Sequence, residues 1–469
     1  MNTSNLTPDQ QEAFQALNDW LNSDEPTLSL TAYAGCGKTW LVAYWLKTLT
    51  ERWKRTEPFV RHIIGPMANP SMKAIIVTAP THKAVGVLRS KLKGIDNDMC
   101  MLQTTHAALC LRPVVVDTKT GRTEFKPERD YDRKPGCALM IVDEASMVGN
   151  SLYDYIRQEQ LQGTKVLYVG DVGQIPPVGE LVSPVFKQVK NRITLSTIVR
   201  QEAGNPIINL AHEVREHVGS IKGLARKYDM TSDVTSALSL IAPLYADHAS
   251  DTKMVAWRNA TVSRHNRAIR RLIYGGLEKR YMIGELLTFL NPYSPPASME
   301  ITHEGKKLTL SQVDSNTDCR VVAYHKIDME VPEVWYLDET QASPSNIEGK
   351  FYVKVPSILL ELEGMDGQKL HVVTYDRDND EVYMSCKGSL LDEAKSLGQY
   401  SYWQDYYSFL SRFADIEYGY CITAHRSQGS TYQTVVVDDT DISANWDAAE
   451  KTKLYYTSVT RSAKTLIVV

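Results

Sequence analysis

Apolar positions along this chain gather into short runs that each end in a small, polar turn. Leu28 to Ala32, Lys73 to Ala79, Cys137 to Val142 and Lys165 to Val169 read as buried strands. Their near-continuous apolar character is that of parallel strands covered on both faces. Behind the first run, Leu41, Trp45 and Leu49 fall four apart and predict one face of a helix, after which the polar stretch Thr50 to Met72, with three prolines, reads as an exposed connection. Arg112 to Lys126 breaks the pattern: two extended runs around Asp117–Gly121 predict a projecting hairpin. A second α/β stretch begins at Met254 and resumes at Tyr418. Between them the texture is β-rich, with strands expected at Arg320–Tyr324, Phe351–Val355, Lys369–Tyr375 and Glu381–Met384. The aromatic stretch Gln399 to Phe413 reads as core rather than as a ligand site.

The turns carry the chemistry. Ala32 is followed after four residues by Gly37-Lys38-Thr39, between a strand and a helix. That is a phosphate-binding loop: backbone amides and the helix dipole cradle phosphates, Lys38 reaches the β- and γ-phosphates, and the Thr39 hydroxyl binds Mg²⁺. Ala34, Gly35 and Cys36 complete the loop, and Ala32 stands where the pattern has glycine. Cys36, near a helix N-terminus, is expected to have a lowered pKa and to react with alkylating agents. Asp143-Glu144 ends the third run, where ligands bind in parallel sheets; Asp143 suits Mg²⁺ and Glu144 the attacking water. Gln174, after the fourth run, can sense a γ-phosphate or position water. Gln10 has two readings, the reciprocal partner in a capping box with Thr7 and a reader of the adenine edge; one residue can do both. Arg200 reads either as a surface ion-pair partner or as a cation against the phosphates. The amides at Thr81 and His82 suit a nucleic-acid phosphate or a plain helix cap.

Composition narrows this picture little. A chain of 469 residues, 23% charged and 43% apolar, suits several soluble domains. A net charge of −4 does not advertise nucleic acid, but a locally basic channel remains compatible with it. Seven scattered cysteines without a C-x-x-C pair argue against a disulfide framework or a zinc site and for a reducing cytoplasm. The opening MNTSNLTPDQ lacks the features of a signal peptide, and no apolar run approaches a membrane span, so no membrane partner is expected.

Taken together, LTPDQ, AYAGCGKT, TAPTHKA, TTHAAL, IVDEAS, GDVGQIPPV, LSTIVRQ, TAHRSQGSTY and YYTSVTRSAK resemble, in order, the superfamily 1B helicases of the RecD/Dda type, phage members included. The resemblance implies an α/β fold with two RecA-like P-loop motor domains, a β-hairpin pin insertion and an inserted β-rich SH3-like domain. The corresponding segments are 1–110 and 137–200 for the first motor domain, 111–136 for the pin, 201–284 and 416–469 for the second motor domain, and 285–415 for the insert. It implies an ATP- and Mg²⁺-dependent DNA helicase that moves 5′-to-3′. Alternatives are an ATPase that strips proteins from DNA, a RecD-like subunit of a nuclease complex, or a non-catalytic scaffold.

By the same resemblance Gln10 reads adenine, Gly37, Lys38 and Thr39 hold phosphate, and Asp143 and Glu144 serve metal and water. Gln174 senses the γ-phosphate, and Arg200 and Arg461 are donated across the cleft. Single-stranded DNA is expected on Pro80, Thr81, His82, Thr105, His106, Thr423, His425, Ser427 and Gln428. Phe125 is the candidate at the duplex junction, against an equal reading in which it packs the hairpin down; Trp403 and Tyr407 stack or brace the pin. A monomer in the host cytoplasm, acting at single-strand/duplex junctions beside a single-stranded DNA-binding protein, is the expected setting.

Overall fold

In the computed structural model, the described residues are 6–33, 35–64, 75–93, 95, 100–117, 119–120, 122–127, 137–177, 179–197, 205–217, 219–246, 251–276, 279–297, 299–332, 345–347 and 350–469. The first sheet uses β1 (Thr27–Ala32), β2 (Ile75–Ala79) and β3 (Cys100–Thr104). A hairpin of β4 (Leu111–Asp117) and β5 (Arg122–Pro127) intervenes before β6 (Leu139–Val142), β7 (Lys165–Gly170) and β8 (Arg192–Leu195). The order is β3-β2-β6-β7-β1-β8 and every pairing is parallel. Strands β6 and β7 are apolar and buried nearly throughout because helices cover both faces. One face packs Leu17, Trp45 and Leu88; the other packs Tyr153, Ile156 and Phe186.

Helix α1 (Pro8–Leu21) precedes this sheet, α2 (Lys38–Ile64) follows β1 and α3 (His82–Lys91) follows β2. Helix α2 runs on to Ile64, so the exposed connection expected from Thr50 is helical as far as Ile64. The run Thr50–Glu57 is rich in helix formers, and their propensity carries the helix past Pro58.

A second parallel sheet, β18-β9-β19-β20, is assembled from two distant chain segments: β9 (Thr252–Ala256), and β18 (Cys421–Thr423), β19 (Tyr432–Val437) and β20 (Ser462–Val468). The chain between them forms an antiparallel body. It consists of β10 (Leu286–Phe289), the small hairpin of β11 (Ile301–His303) and β12 (Lys306–Leu308), β13 (Asp318–Pro332), β14 (Ser345–Ile347), β15 (Lys350–Gly364) and β16 (Lys369–Tyr375). β17 (Ile416–Tyr418) closes it against β10. The strands expected at 320–324, 351–355 and 369–375 fall within β13, β15 and β16. The expected strand at Glu381–Met384 is instead the start of a helix, Glu381–Leu397. Its buried Tyr383, Cys386, Leu390 and Ala394 recur at helical spacing, and that longer period overrides the local β-formers Val382 and Tyr383. The aromatic stretch is core in part: Trp403 and Phe409 are buried, whereas Tyr407 is partly exposed. Two RecA-like α/β domains thus meet at one cavity: the first presents the carboxyl ends of β1, β6 and β7, and the second presents the residues that lead into β19 and β20.

Candidate nucleotide and DNA site

Strand β1 delivers the chain to a loop that only glycine can follow at two positions. Gly35 has φ 86° and Gly37 has φ 73°, in the left-handed region. Ala32 lies before the loop, buried in β1, so its methyl group obstructs nothing. Lys38 then begins α2, whose free amides point into a cavity of about 440 Å³. Gln10, Gly35, Gly37, Lys38, Thr39, Asp143, Glu144 and Gln174 line this cavity from the first domain; Gly429, Ser430, Thr431, Thr460 and Arg461 line it from the second. Residues separated by more than 400 positions therefore share one site.

The capping reading of Gln10 is realised, and the same side chain lines the cavity. The capping box with Thr7 is present, and the buried amide also donates to the Cys36 carbonyl at 3.1 Å beside the cavity. Cys36 itself corrects an expectation. Its side chain is buried in the apolar core rather than open to the cavity, and burial pushes the thiol up to about 11. A thiol so placed is inert, because desolvation of the thiolate outweighs the helix terminus.

Asp143 and Glu144 follow β6. Glu144 adopts φ 52°, and its amide donates to Asp143 Oδ1 at 2.9 Å. Burial and then the Glu144 charge push Asp143 up to about 6, against the opposing pull of Lys38. Burial alone would lower the Lys38 pKa, but the carboxylates of Glu144, Asp143 and Asp171 outweigh it and hold the ammonium charged. Among the described residues, Glu144 Oε2 and Gln174 Oε1 are buried with no hydrogen-bond partner. Two orphaned oxygens beside a lysine, a hydroxyl and a second carboxylate fit a hydrated magnesium ion and an attacking water. Thr39 Oγ1 and Asp143 are the groups that would hold the metal.

The raised Asp143 pKa has a measurable sign. The folded protein binds this proton more tightly than the unfolded chain, whose value is near 3.8. The stabilisation is full below that value and is lost as pH rises through about 6. Thermal melts of the nucleotide-free protein are expected to show Tm falling across that window. Asp143→Asn should flatten this part of the profile; a variant curve parallel to wild type would contradict the assignment.

The second domain is tied to the first around the cavity. Gln428 Nε2 donates to the Ile175 carbonyl at 2.8 Å, Tyr456 OH to Asp171 Oδ2 at 2.6 Å, and the Ile175 amide to Thr457 Oγ1 at 3.2 Å. A Cβ on Gly173 would lie 3.0 Å from the Tyr456 ring, so a side chain there would push the ring back by a few tenths of an ångström. The Arg215 guanidinium lies over the rings of Tyr33, at 3.9 Å, and Tyr456, at 5.3 Å. Lys83 donates to Tyr432 OH at 3.2 Å and pairs with Asp318, which also pairs with Lys253 at 3.0 Å. Arg461 is held by its neighbours: Nε donates to Thr457 O at 3.0 Å, Nη1 to Ser430 O at 3.0 Å and Nη2 to Thr460 Oγ1 at 3.1 Å. Donors remain over for a phosphate. Arg200 and Ala34 lie outside the described residues.

The expected DNA positions cluster along the carboxyl ends of both sheets, but not all offer side chains. Pro80 and Thr81 follow β2, and Thr81 caps α3 through the Ala84 amide at 3.2 Å. His82 is half-exposed and pairs with Asp314 of the insert at 3.1 Å. His106 packs its ring 4.2 Å from that of Phe125, which stays 46% exposed. Thr423 caps the short helix Ala424–Ser427, and His425 Nε2 lies 3.9 Å from Glu450. Three of the expected positions have buried side chains bonded within the fold. Thr105 is buried, donating to Thr78 Oγ1 at 3.2 Å; Ser427 is buried and donates to the Ala424 carbonyl; Gln428 is buried and donates to the Ile175 carbonyl. Small polar residues at sheet ends serve the fold before they serve a ligand. Tyr33, Trp40, Lys83, Asp318, Arg215 and Tyr456 were not singled out by sequence. Apart from Trp40, whose exposure rather than its partner goes unannounced, their contacts form between distant segments that no local pattern reveals.

Residues 5–236 match the AAA domain family, and residues 418–469 match the UvrD-like helicase C-terminal domain. The uncharacterized protein R530 of Acanthamoeba polyphaga mimivirus is 25% identical over 97% of this chain and 98% of its own. The ATP-dependent DNA helicase dda of Enterobacteria phage T4 is 22% identical over 92% of this chain and 91% of its own. The Pif1 helicase of Candida albicans, a solved structure, aligns with a TM-score of 0.45 at 15% identity, covering 99% of this chain and 94% of its own. With the phosphate loop, the carboxylate pair and Arg461 around one cavity, and both motor halves matched by their domain families, the chain belongs to the superfamily 1B helicases of the RecD/Dda type.

Proposed function

We propose that this ATP-dependent DNA helicase translocates 5′-to-3′ on single-stranded DNA by closing and opening the cleft between its motor domains. The observation that carries this reading is the shared cavity: Lys38 and Thr39 line it from one domain and Arg461 from the other. Bound Mg²⁺ supplies charge neutralisation at the β- and γ-phosphates. Lys38 holds those phosphates. Glu144 Oε2 orients a water and accepts its proton as the water oxygen attacks the γ-phosphorus and the bond to the bridging oxygen breaks. Gln174 Oε1, likewise unpartnered, fixes that water or registers the γ-phosphate. Arg461 stabilises transferred charge from across the cleft, and Arg200 is assigned a second cationic role by the family resemblance alone. The contacts of Gln428 and Tyr456 with the first domain turn phosphate loss into relative motion.

DNA lies over both sheets, on the wholly or partly accessible groups at Pro80–His82, His106 and His425 and on backbone amides. Contacts of this kind hold phosphates without reading sequence. The hairpin β4–β5 acts as the strand-separating pin and the β-rich insert as the SH3-like domain that faces it. A single-stranded DNA-binding protein is the natural partner at the exposed strand. Phe125→Ala is expected to retain DNA-stimulated hydrolysis but to slow strand displacement several-fold; equal loss of both would show that Phe125 only packs the hairpin. The decisive assay for polarity compares duplexes bearing a 5′ or a 3′ tail. Displacement from the 5′ tail alone is expected. Preference for the 3′ tail would overturn the polarity, and hydrolysis without displacement would favour a protein-stripping ATPase.

A further inference from the structure

One aromatic side chain in the cavity is used by none of the roles above. Trp40 follows Thr39 directly, lines the cavity and is 46% exposed. Trp45, five residues on, is fully buried and supplies what the core needs from this helix. Leaving half an indole exposed in a cleft forgoes a large hydrophobic gain unless something covers it.

The indole is backed and oriented. Its ring stacks on Tyr44, one helical turn on, with centroids 5.6 Å apart and 12° between planes. Tyr44 in turn lies 5.7 Å from Phe14 of α1. On α1 the residue one turn before Phe14 is Gln10. The residue one turn before Tyr44 on α2 is Trp40. The two helices therefore bring an amide and an indole to the same cavity. The Gln10 amide is fixed: Oε1 accepts from the Thr7 amide at 3.2 Å and Nε2 donates to the Cys36 carbonyl at 3.1 Å. One N–H and one lone pair remain, the complement of an adenine edge carrying an amino group beside a ring nitrogen.

We propose that Trp40 is the nucleobase platform of this site: the purine of a nucleoside triphosphate stacks on its open face while Gln10 reads the base edge. The inference rests on the reading of the cavity as the ATP site and names what holds the base there. Stacking area favours purines over pyrimidines, so Trp40 contributes to the choice of nucleotide as well as to its affinity.

The test is steady-state hydrolysis with single-stranded DNA present, with inorganic triphosphate as a base-free competitor. Trp40→Ala is expected to raise KM for ATP about tenfold, about 1.4 kcal/mol, with the effect on KM rather than kcat. Inhibition by inorganic triphosphate should match wild type, and Trp40→Phe should recover most of the ATP affinity. Unchanged KM for ATP in Trp40→Ala would overturn the proposal. So would parallel weakening of ATP and inorganic triphosphate, which would place Trp40 with the phosphates or the fold. Failure of the underlying reading looks different: the wild-type protein would neither hydrolyse ATP nor be inhibited by triphosphate.

Discussion

Lys38→Ala is expected to lower DNA-stimulated ATP hydrolysis by about 10³-fold while leaving the protein folded. Two effects add. The first is loss of a buried cation aimed where negative charge accumulates in the transition state; removal of one such group costs about 10²–10³ in kcat. The second acts through Asp143. Burial and Glu144 already push that carboxyl up to about 6, and Lys38 is the largest influence pulling it down. Without the ammonium, Asp143 rises further and holds its proton nearer neutral pH, and a protonated carboxyl is a poor magnesium ligand. Raising pH should therefore recover part of the variant's magnesium affinity but not its rate. Hydrolysis within a few-fold of wild type would remove Lys38 from the mechanism. Folding is checked by the melt, and no cavity forms in an apolar core because Lys38 faces the nucleotide pocket.

Arg461→Ala carries the other large effect. Here the expectation is a loss of about 10³–10⁵ in hydrolysis, the range for an arginine supplied to phosphoryl transfer. Binding of a nonhydrolysable ATP analogue should survive, because the phosphate loop and Lys38 belong to the other domain. Arg461→Lys should rescue little. The guanidinium bonds Thr457, Ser430 and Thr460 while pointing into the cavity, and an ammonium lacks donors for all of these and a phosphate besides. A lysine variant near wild-type activity would show that charge alone is needed, and an alanine variant near wild type would remove Arg461 from catalysis.

Much of the motor was legible in the sequence because its chemistry sits at strand ends, and strand ends are local. Lys38, Asp143, Glu144 and Gln174 each follow an apolar run, and the parallel sheet brings all of them to one cavity. The hairpin β4–β5 was legible for the same reason. What was not legible depends on burial or on distant contacts. Cys36 sits at a helix terminus, yet its thiol faces the core, and desolvation reverses the expected shift. Thr105, Ser427 and Gln428 stand in sequence among the expected DNA-contact residues, and that their side chains are buried and bonded within the fold is not visible in the sequence. Trp40 passed for an ordinary helix residue because exposure is invisible in a sequence window. The ties of Lys83 to Asp318 and of Arg215 to Tyr33 and Tyr456 link residues hundreds of positions apart. Local helix propensity explains the misread length of α2, and a short window explains the strand expected at Glu381–Met384.

That one nucleotide site is divided between two moving domains is tested most directly by the distance between them. All the cysteines but Cys110 are buried, so Cys110→Ser with Gln15→Cys on α1 and Ala449→Cys on the helix Ala448–Val459 gives one label on each motor domain. Energy transfer between the labels is predicted to rise when a nonhydrolysable ATP analogue and Mg²⁺ bind, to fall again with ADP, and to stay unchanged in Lys38→Ala. An unmoving distance with the analogue bound at saturation would contradict a site completed by closure of the cleft.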